Sequence, residues 1–172
     1  MAIFSATVEK QRKVIAYVTR GKGGKRQLLV FTHHDYPEAG LQVPAGTVDA
    51  GESVEAALFR EIEEESGIST GLRLVKLLAV YDWYNPETGI VNERHVFHVE
   101  STGYTPERWN WLESGGRLKP PADLGEPWHW PEAHKPFSPH LEGYVFQFEW
   151  RDLDGQIELA GEQGAWLSEI EA

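Results

Sequence analysis

The chain has 172 residues, 41% hydrophobic and 25% charged, with a net charge of −11, which suits one soluble domain built on a single core. That acidic balance repels a long phosphate backbone and excludes nonspecific binding of bulk nucleic acid, while a small polyanion remains acceptable if a divalent cation lies between it and carboxylates. With no cysteine, disulfides and thiolate-zinc sites are excluded and a cytoplasmic location is expected; no apolar run reaches the roughly 18 residues of a membrane span, and Met1-Ala2-Ile3-Phe4-Ser5 has no signal-peptide character.

Val14 to Thr19 reads as a strand and Gln27 to Thr32 as its partner, joined by a hairpin loop at Gly21-Lys22-Gly23-Gly24-Lys25. Leu41 to Pro44 is a short extended piece that Pro44 is expected to stop. Gly46 to Gly51 is a glycine-bounded loop. Ser53 then caps a helix running to about Ser66, where Gly67 and Ile68 fit a left-handed C-cap. Leu72 to Tyr81 and Arg94 to Glu100 are two more strands, linked through Asn85-Pro86-Glu87-Thr88-Gly89. Gly143 to Trp150 alternates Tyr144, Phe146, Phe148 and Trp150, a strand with one aromatic face. Trp166 to Ile170 is expected to form a short helix.

Residues 102–142 stand apart. They hold four of the seven Trp and seven of the ten Pro with little periodicity, and read as a long ordered insertion within one domain of residues 1–172.

The helix carries the chemistry. On a wheel of about 100° per residue with Val54 at zero, Leu58 and Ile62 fall near 40° and 80°, Glu61 and Glu65 near −20° and 20°, Glu64 near −80° and Glu63 about 180°. A solvated acidic face accounts for Glu63 but not for Glu61 and Glu65, which lie on the apolar stripe. Carboxylates pushed toward an interior need partners or a metal. At a helix C-terminus they also oppose the macrodipole, by a few tenths to ~1 kcal/mol each. Together these choices point to a site for a hard divalent cation with oxygen ligands.

The spacing Gly46, Glu52, Arg60, Glu61, Ile62, Glu64, Glu65, Gly67, Ile68 resembles the box of the Nudix hydrolases at every specified position. The resemblance implies an α/β fold, a mixed β-sheet sandwiched between helices, here with the Trp/Pro-rich insertion. It implies hydrolysis of a diphosphate linkage in a nucleoside diphosphate joined to another group, with Mg²⁺ or Mn²⁺. Glu64 and Glu65 are then the main metal ligands, with Glu61 and the Ala45 carbonyl in the same set. Glu61 is also expected to activate water. Arg60 is expected to fix a box carboxylate, Glu52 or Glu61, and Gly46 to let the loop turn and offer amides to phosphate. Glu93, Glu142 and Glu162 are candidates for a further ligand outside the box.

Tyr84 lies sixteen positions past Ile68, where the family's dinucleoside polyphosphate members often carry a tyrosine. Tyr84 is therefore a candidate substrate contact, with core packing as the alternative. Trp109, Trp111, Trp128 and Trp130 invite two readings: a flap offering a ring to the substrate, for which Trp109 is the first candidate, or tryptophans packed on the sheet edge or on the second subunit of a homodimer. The histidines do not make a zinc site: His95 and His98, three apart in a strand, point to opposite faces. A nucleotide sensor of the same fold is the rival function, marked elsewhere by lost box carboxylates, and none is lost here. A prenyl diphosphate isomerase on a related fold needs a cysteine that this chain lacks.

Overall fold

Val14-Ile15-Ala16-Tyr17-Val18 is apolar without alternation, and its position explains why. In the computed structural model, which describes residues 10–113 and 144–170, this run is the middle of a strand covered on both faces. β1 (Lys10–Lys22) and β2 (Lys25–His33) form an antiparallel hairpin. Its turn is Gly23-Gly24, both at positive φ, a conformation that glycine adopts without the cost of a Cβ. Then follow β3 (Ala45–Thr47), α1 (Val54–Ser66), β4 (Leu72–Tyr84), β5 (Val91–Ser101), β6 (Arg108–Glu113) and β7 (Tyr144–Asp152).

The strands make one seven-stranded mixed sheet in the order β4-β5-β1-β2-β7-β6, with β3 beside β1. β1 and β5 run parallel, and the other pairs are antiparallel. β1 changes partner along its length: Thr19 to Lys22 pair with β2, whereas Lys13 to Ile15 pair with β3. Pro44 therefore does not stop this segment. Its carbonyl accepts from the Ala16 amide at 2.8 Å, and the chain continues through Gly46 as a strand rather than as the loop expected there.

Alternation along β1 sorts the core into two faces. Val14, Ala16 and Val18 join Leu29, Phe31, Phe146, Phe148 and the α1 residues Leu58 and Ile62. Ile15 and Tyr17 join Val30, Val43, Val96, Leu159 and Ile170 on the other face. Each fully buried aliphatic side chain stabilises the fold by about 1.5–3 kcal/mol. Among the described residues α1 is the one substantial helix. The second face is covered not by a helix, as expected, but by the chain from Leu153 to Ile170 with 3-10 turns at Ala160–Glu162 and Leu167–Glu169. No helix among the described residues is long and apolar enough to cross a membrane.

The segment 102–142 needs a correction at its start. Arg108 to Glu113 pair with β7 from Arg108↔Glu149 to Glu113↔Tyr144, so this part is an edge strand and not an insertion. Trp109 sits in the core at 5% exposure, stacked on Phe148 with ring centroids 5.1 Å apart. A ring held there is not offered to a substrate, which is the structural one of the two readings. Trp128, Trp130 and Glu142 lie outside the described residues.

Candidate active site

α1 begins where Ser53 Oγ accepts from the Ala56 amide at 3.1 Å and ends at Gly67, φ 78°, whose amide donates to the Glu63 carbonyl at 2.8 Å. It buries Ala57, Leu58, Ile62 and Ser66 against the sheet. That phase leaves Glu63 in solvent, turns Glu61 and Glu65 toward β3 and sets Glu64 against Arg60, all three half-buried.

Arg60 organises the cluster. Its guanidinium grips Glu52 through two bonds of 2.9 Å, reaches Glu61 at 2.8 Å and Glu64 at 3.0 Å, and donates to the Thr47 carbonyl at 2.8 Å. The sequence left Glu52 and Glu61 as alternatives; the structure pairs Arg60 with both. One planar cation thus ties the loop after β3 to two faces of the helix, which a lysine point charge cannot do. The Arg60 contact and the Asp49 amide together hold the Glu52 carboxyl at about 2, far below its usual value.

Gly46 serves this cluster by what it lacks. Its φ is not positive, so a tight turn is not the reason for glycine. A Cβ there would lie 1.9 Å from the Glu61 carboxyl carbon. The carboxylate is folded against bare backbone, its side chain only 14% exposed. Burial raises the Glu61 pKa, Arg60 opposes the rise, and Glu64 and Glu113 add to it. Glu65 is raised well above the ordinary value, again chiefly by burial; the Ala45 amide, donating at 3.0 Å, opposes this, while Glu61, Glu113 and Glu64 reinforce it. Carboxylates raised by burial beside like charges are candidates for functional groups.

Two residues enter the cluster that the sequence did not single out. Glu113 acts electrostatically on both Glu61 and Glu65. It follows Trp109 and Trp111 at the spacing of one strand face, a period-two signal hidden by the irregular stretch around it. Lys13, half-buried on β1, donates to Thr47 Oγ1. Burial lowers its pKa, and the Glu61 carboxylate partly restores it.

Of the outlying candidates, Glu93 accepts from or shares a proton with His95 Nε2 at 2.9 Å. Glu162 is exposed in its 3-10 turn, next to the Gly161 carbonyl that takes a 2.7 Å bond from Arg94, on the sheet face opposite α1. Tyr84 is 61% exposed at the end of β4, whereas its neighbour Trp83 is half-buried with the Arg94 guanidinium 3.8 Å from its ring centroid.

The donors around α1 suit a hard cation: carboxylate and carbonyl oxygens, with no sulfur. Among the described residues no three acidic or histidine side chains converge as a ready-made metal cage. Glu61 and Glu64 are turned onto Arg60, and Glu65 onto the Ala45 amide. Glu65 stands among three other carboxylates; a divalent cation held there would relieve that repulsion.

The NUDIX domain family model matches residues 9–141. Among solved structures, a Caenorhabditis elegans Ap4A hydrolase binary complex superposes with a TM-score of 0.59 at 18% identity, covering 92% of this chain and 93% of that one. A MutT NUDIX hydrolase from Burkholderia pseudomallei gives 0.57 at 22% identity, with 95% and 99% covered. The NUDIX domain of Shewanella oneidensis NrtR, complexed with ADP ribose, gives 0.58 at 12% identity, with 94% and 86% covered. These likenesses establish a shared fold. No curated protein sequence matches the chain.

Proposed function

The chain belongs to the NUDIX domain family, and from that premise we propose that it hydrolyses the diphosphate linkage of a nucleoside diphosphate joined to another group, using a divalent cation held by Glu64, Glu65 and the Ala45 carbonyl. The family are pyrophosphohydrolases that generally need such a cation. The observation that supports this assignment is the cluster between α1 and β3: Glu65 on the Ala45 amide, Glu61 folded against Gly46, and Arg60 binding both Glu61 and Glu64.

When bound, Mg²⁺ or Mn²⁺ supplies neutralisation of the diphosphate oxygens and lowers the pKa of water. Glu61 takes the proton from the attacking water. Burial raises its basicity, and the bond from Arg60 opposes that rise and keeps the carboxylate aimed. The new P–O bond forms from water, the anhydride P–O bond breaks, and the diphosphate chain leaves as two phosphorylated products. Arg60 and Glu52 are positioning residues that lock the loop onto the helix. Glu61 would complete the ligand set with Glu64, Glu65 and the Ala45 carbonyl.

For the substrate, we read a dinucleoside polyphosphate as the first candidate, because Tyr84 stands exposed at the end of β4, available to stack on a base. The protein is read as cytoplasmic and Tyr84 as a substrate contact on the same footing. Incubation with Mg²⁺ and a panel of dinucleoside polyphosphates, nucleotide sugars, ADP-ribose, NADH, coenzyme A and nucleoside triphosphates tests the proposal. Cleavage of one class to two phosphorylated products supports it. Tight binding of a nucleotide with no turnover of any panel member supports the sensor reading instead.

A further inference from the structure

Glu63, Glu64 and Glu65 occupy the last turn of α1 with no basic residue in that turn, which ought to weaken the end of the helix that carries the proposed metal ligands. Two tryptophans from β6 meet that end. Trp111 Nε1 donates to the Glu64 carbonyl at 3.0 Å, and Trp109 Nε1 donates to the Ser66 carbonyl at 2.9 Å. The last four carbonyls of a helix have no partners within it; here a neighbouring strand supplies donors to two of them. Gly67 completes the arrangement. A Cβ on it would lie 2.6 Å from the six-membered ring of Trp111, so the same glycine that closes the helix in a left-handed conformation also seats the ring that binds Glu64.

We propose that Trp111 and Trp109 are positioning residues of the metal site: their indole N–H groups fix the last turn of α1 and thereby the direction of the Glu64 and Glu65 carboxylates. The physical reason is the short lever. The Glu64 carbonyl and carboxylate share one Cα, so pinning the first restricts the second. Two anchors on one strand, at Glu64 and Ser66, bracket Glu65 between them. The indole N–H dipoles also point their positive ends at the negative pole of the helix and offset the cost of placing acids there. Packing alone does not ask for this. Phenylalanine at either position fills most of the apolar volume, and Trp109 already stacks on Phe148 without needing its nitrogen.

The inference rests on the metal reading of Glu64 and Glu65, and the experiment separates the two. Mn²⁺ binding to the substrate-free protein is measured by electron paramagnetic resonance, together with Tm in EDTA, for the native chain, Trp111→Phe, Trp109→Phe and Trp150→Phe. Trp150 makes the same kind of bond, to the Pro106 carbonyl at 3.1 Å, but not to α1, and serves as the control. The expected result is a Kd for Mn²⁺ raised roughly two- to tenfold in Trp111→Phe, the scale of one net hydrogen bond, and unchanged in Trp150→Phe whatever its Tm. Replacing Trp111 by 3-benzothienylalanine, which keeps the bicyclic shape and removes only the N–H, should reproduce the weakened binding if the phenylalanine variant does not fold. Native Mn²⁺ affinity in the benzothienyl protein overturns the inference. If the native chain itself binds no Mn²⁺, the metal reading fails, and this inference with it.

Discussion

The Glu61 carboxylate lies where a side chain of residue 46 would be: a Cβ built on Gly46 is 1.9 Å from the carboxyl carbon. The glycine is in a regular strand, opposite Val14, so its role is vacancy rather than flexibility. Gly46→Ala must therefore push Glu61 off β3. Displacing a reacting group by about 1 Å costs on the order of 10²-fold in rate. We expect kcat to fall by that order while the variant stays folded, with Tm reporting an overpacking cost of about 1–3 kcal/mol. Steady-state kinetics beside a thermal melt decide it; an active alanine variant would mean that the resting position of Glu61 is not the working one.

Glu61→Gln keeps the shape and removes the proposed base. Its kcat should drop by roughly 10²–10⁴. Glu63→Gln, one turn-face away and exposed, should leave kcat within a factor of about two. Glu64→Gln and Glu65→Gln should raise the Mg²⁺ concentration needed for half-maximal rate. A dead Glu63→Gln beside an active Glu61→Gln contradicts the assignment.

Arg60 satisfies Glu52, Glu61 and Glu64 at once. Arg60→Ala leaves half-buried carboxylates facing one another, and stability should fall by about 1.5–3 kcal/mol, the range for hydrogen bonds to charged groups. Arg60→Lys should recover only part, because a single ammonium cannot reproduce the two-pronged grip on Glu52. Urea denaturation of the three proteins in EDTA tests this; equal midpoints for lysine and arginine would show that charge alone matters.

Stability without metal should depend on pH in two opposite ways. Burial raises Glu65 well above its ordinary value of 4.5, and Glu61 in the same direction. Their contribution is full below 4.5 and is lost as pH rises through the raised values. Glu52 is held at about 2, chiefly by Arg60; its contribution is present above 4.5 and is lost as pH falls toward about 2. In EDTA, Tm should therefore decline as pH rises above about 4.5, and Glu65→Gln should flatten that decline. On the proposed metal reading, Mg²⁺ should raise Tm most at the alkaline end. A scanning-fluorimetry profile in EDTA that is level over this range, and the same in Glu65→Gln, removes the basis for the argument.

Local signals made α1 legible from Ser53 to Gly67: a side-chain cap, a 3.6-residue stripe and a left-handed glycine all fall within it. The same periodicity gave the inward turn of Glu61 and Glu65. The role of Gly46 was not legible, since the atom it must avoid belongs to a residue fifteen positions later. β6 was hidden for a related reason. Trp109, Trp111 and Glu113 alternate, but their partners lie on β7 beyond thirty undescribed residues. The covering of the second sheet face by irregular chain was likewise invisible, because Leu159, Trp166 and Ile170 share no period.

Glu113 and Tyr144 face each other across β6 and β7, so the last residue of one strand and the first of the next stand directly opposed. Doubling the length of chain between two such fixed points costs only about 0.6 kcal/mol in closure entropy. The register of β6 on β7 is therefore nearly decoupled from the number of residues between them. Glu113, the last residue of β6, also acts electrostatically on Glu61 and Glu65. What brings it to the proposed site is thus the ladder between two strands, and not the length of chain that joins them.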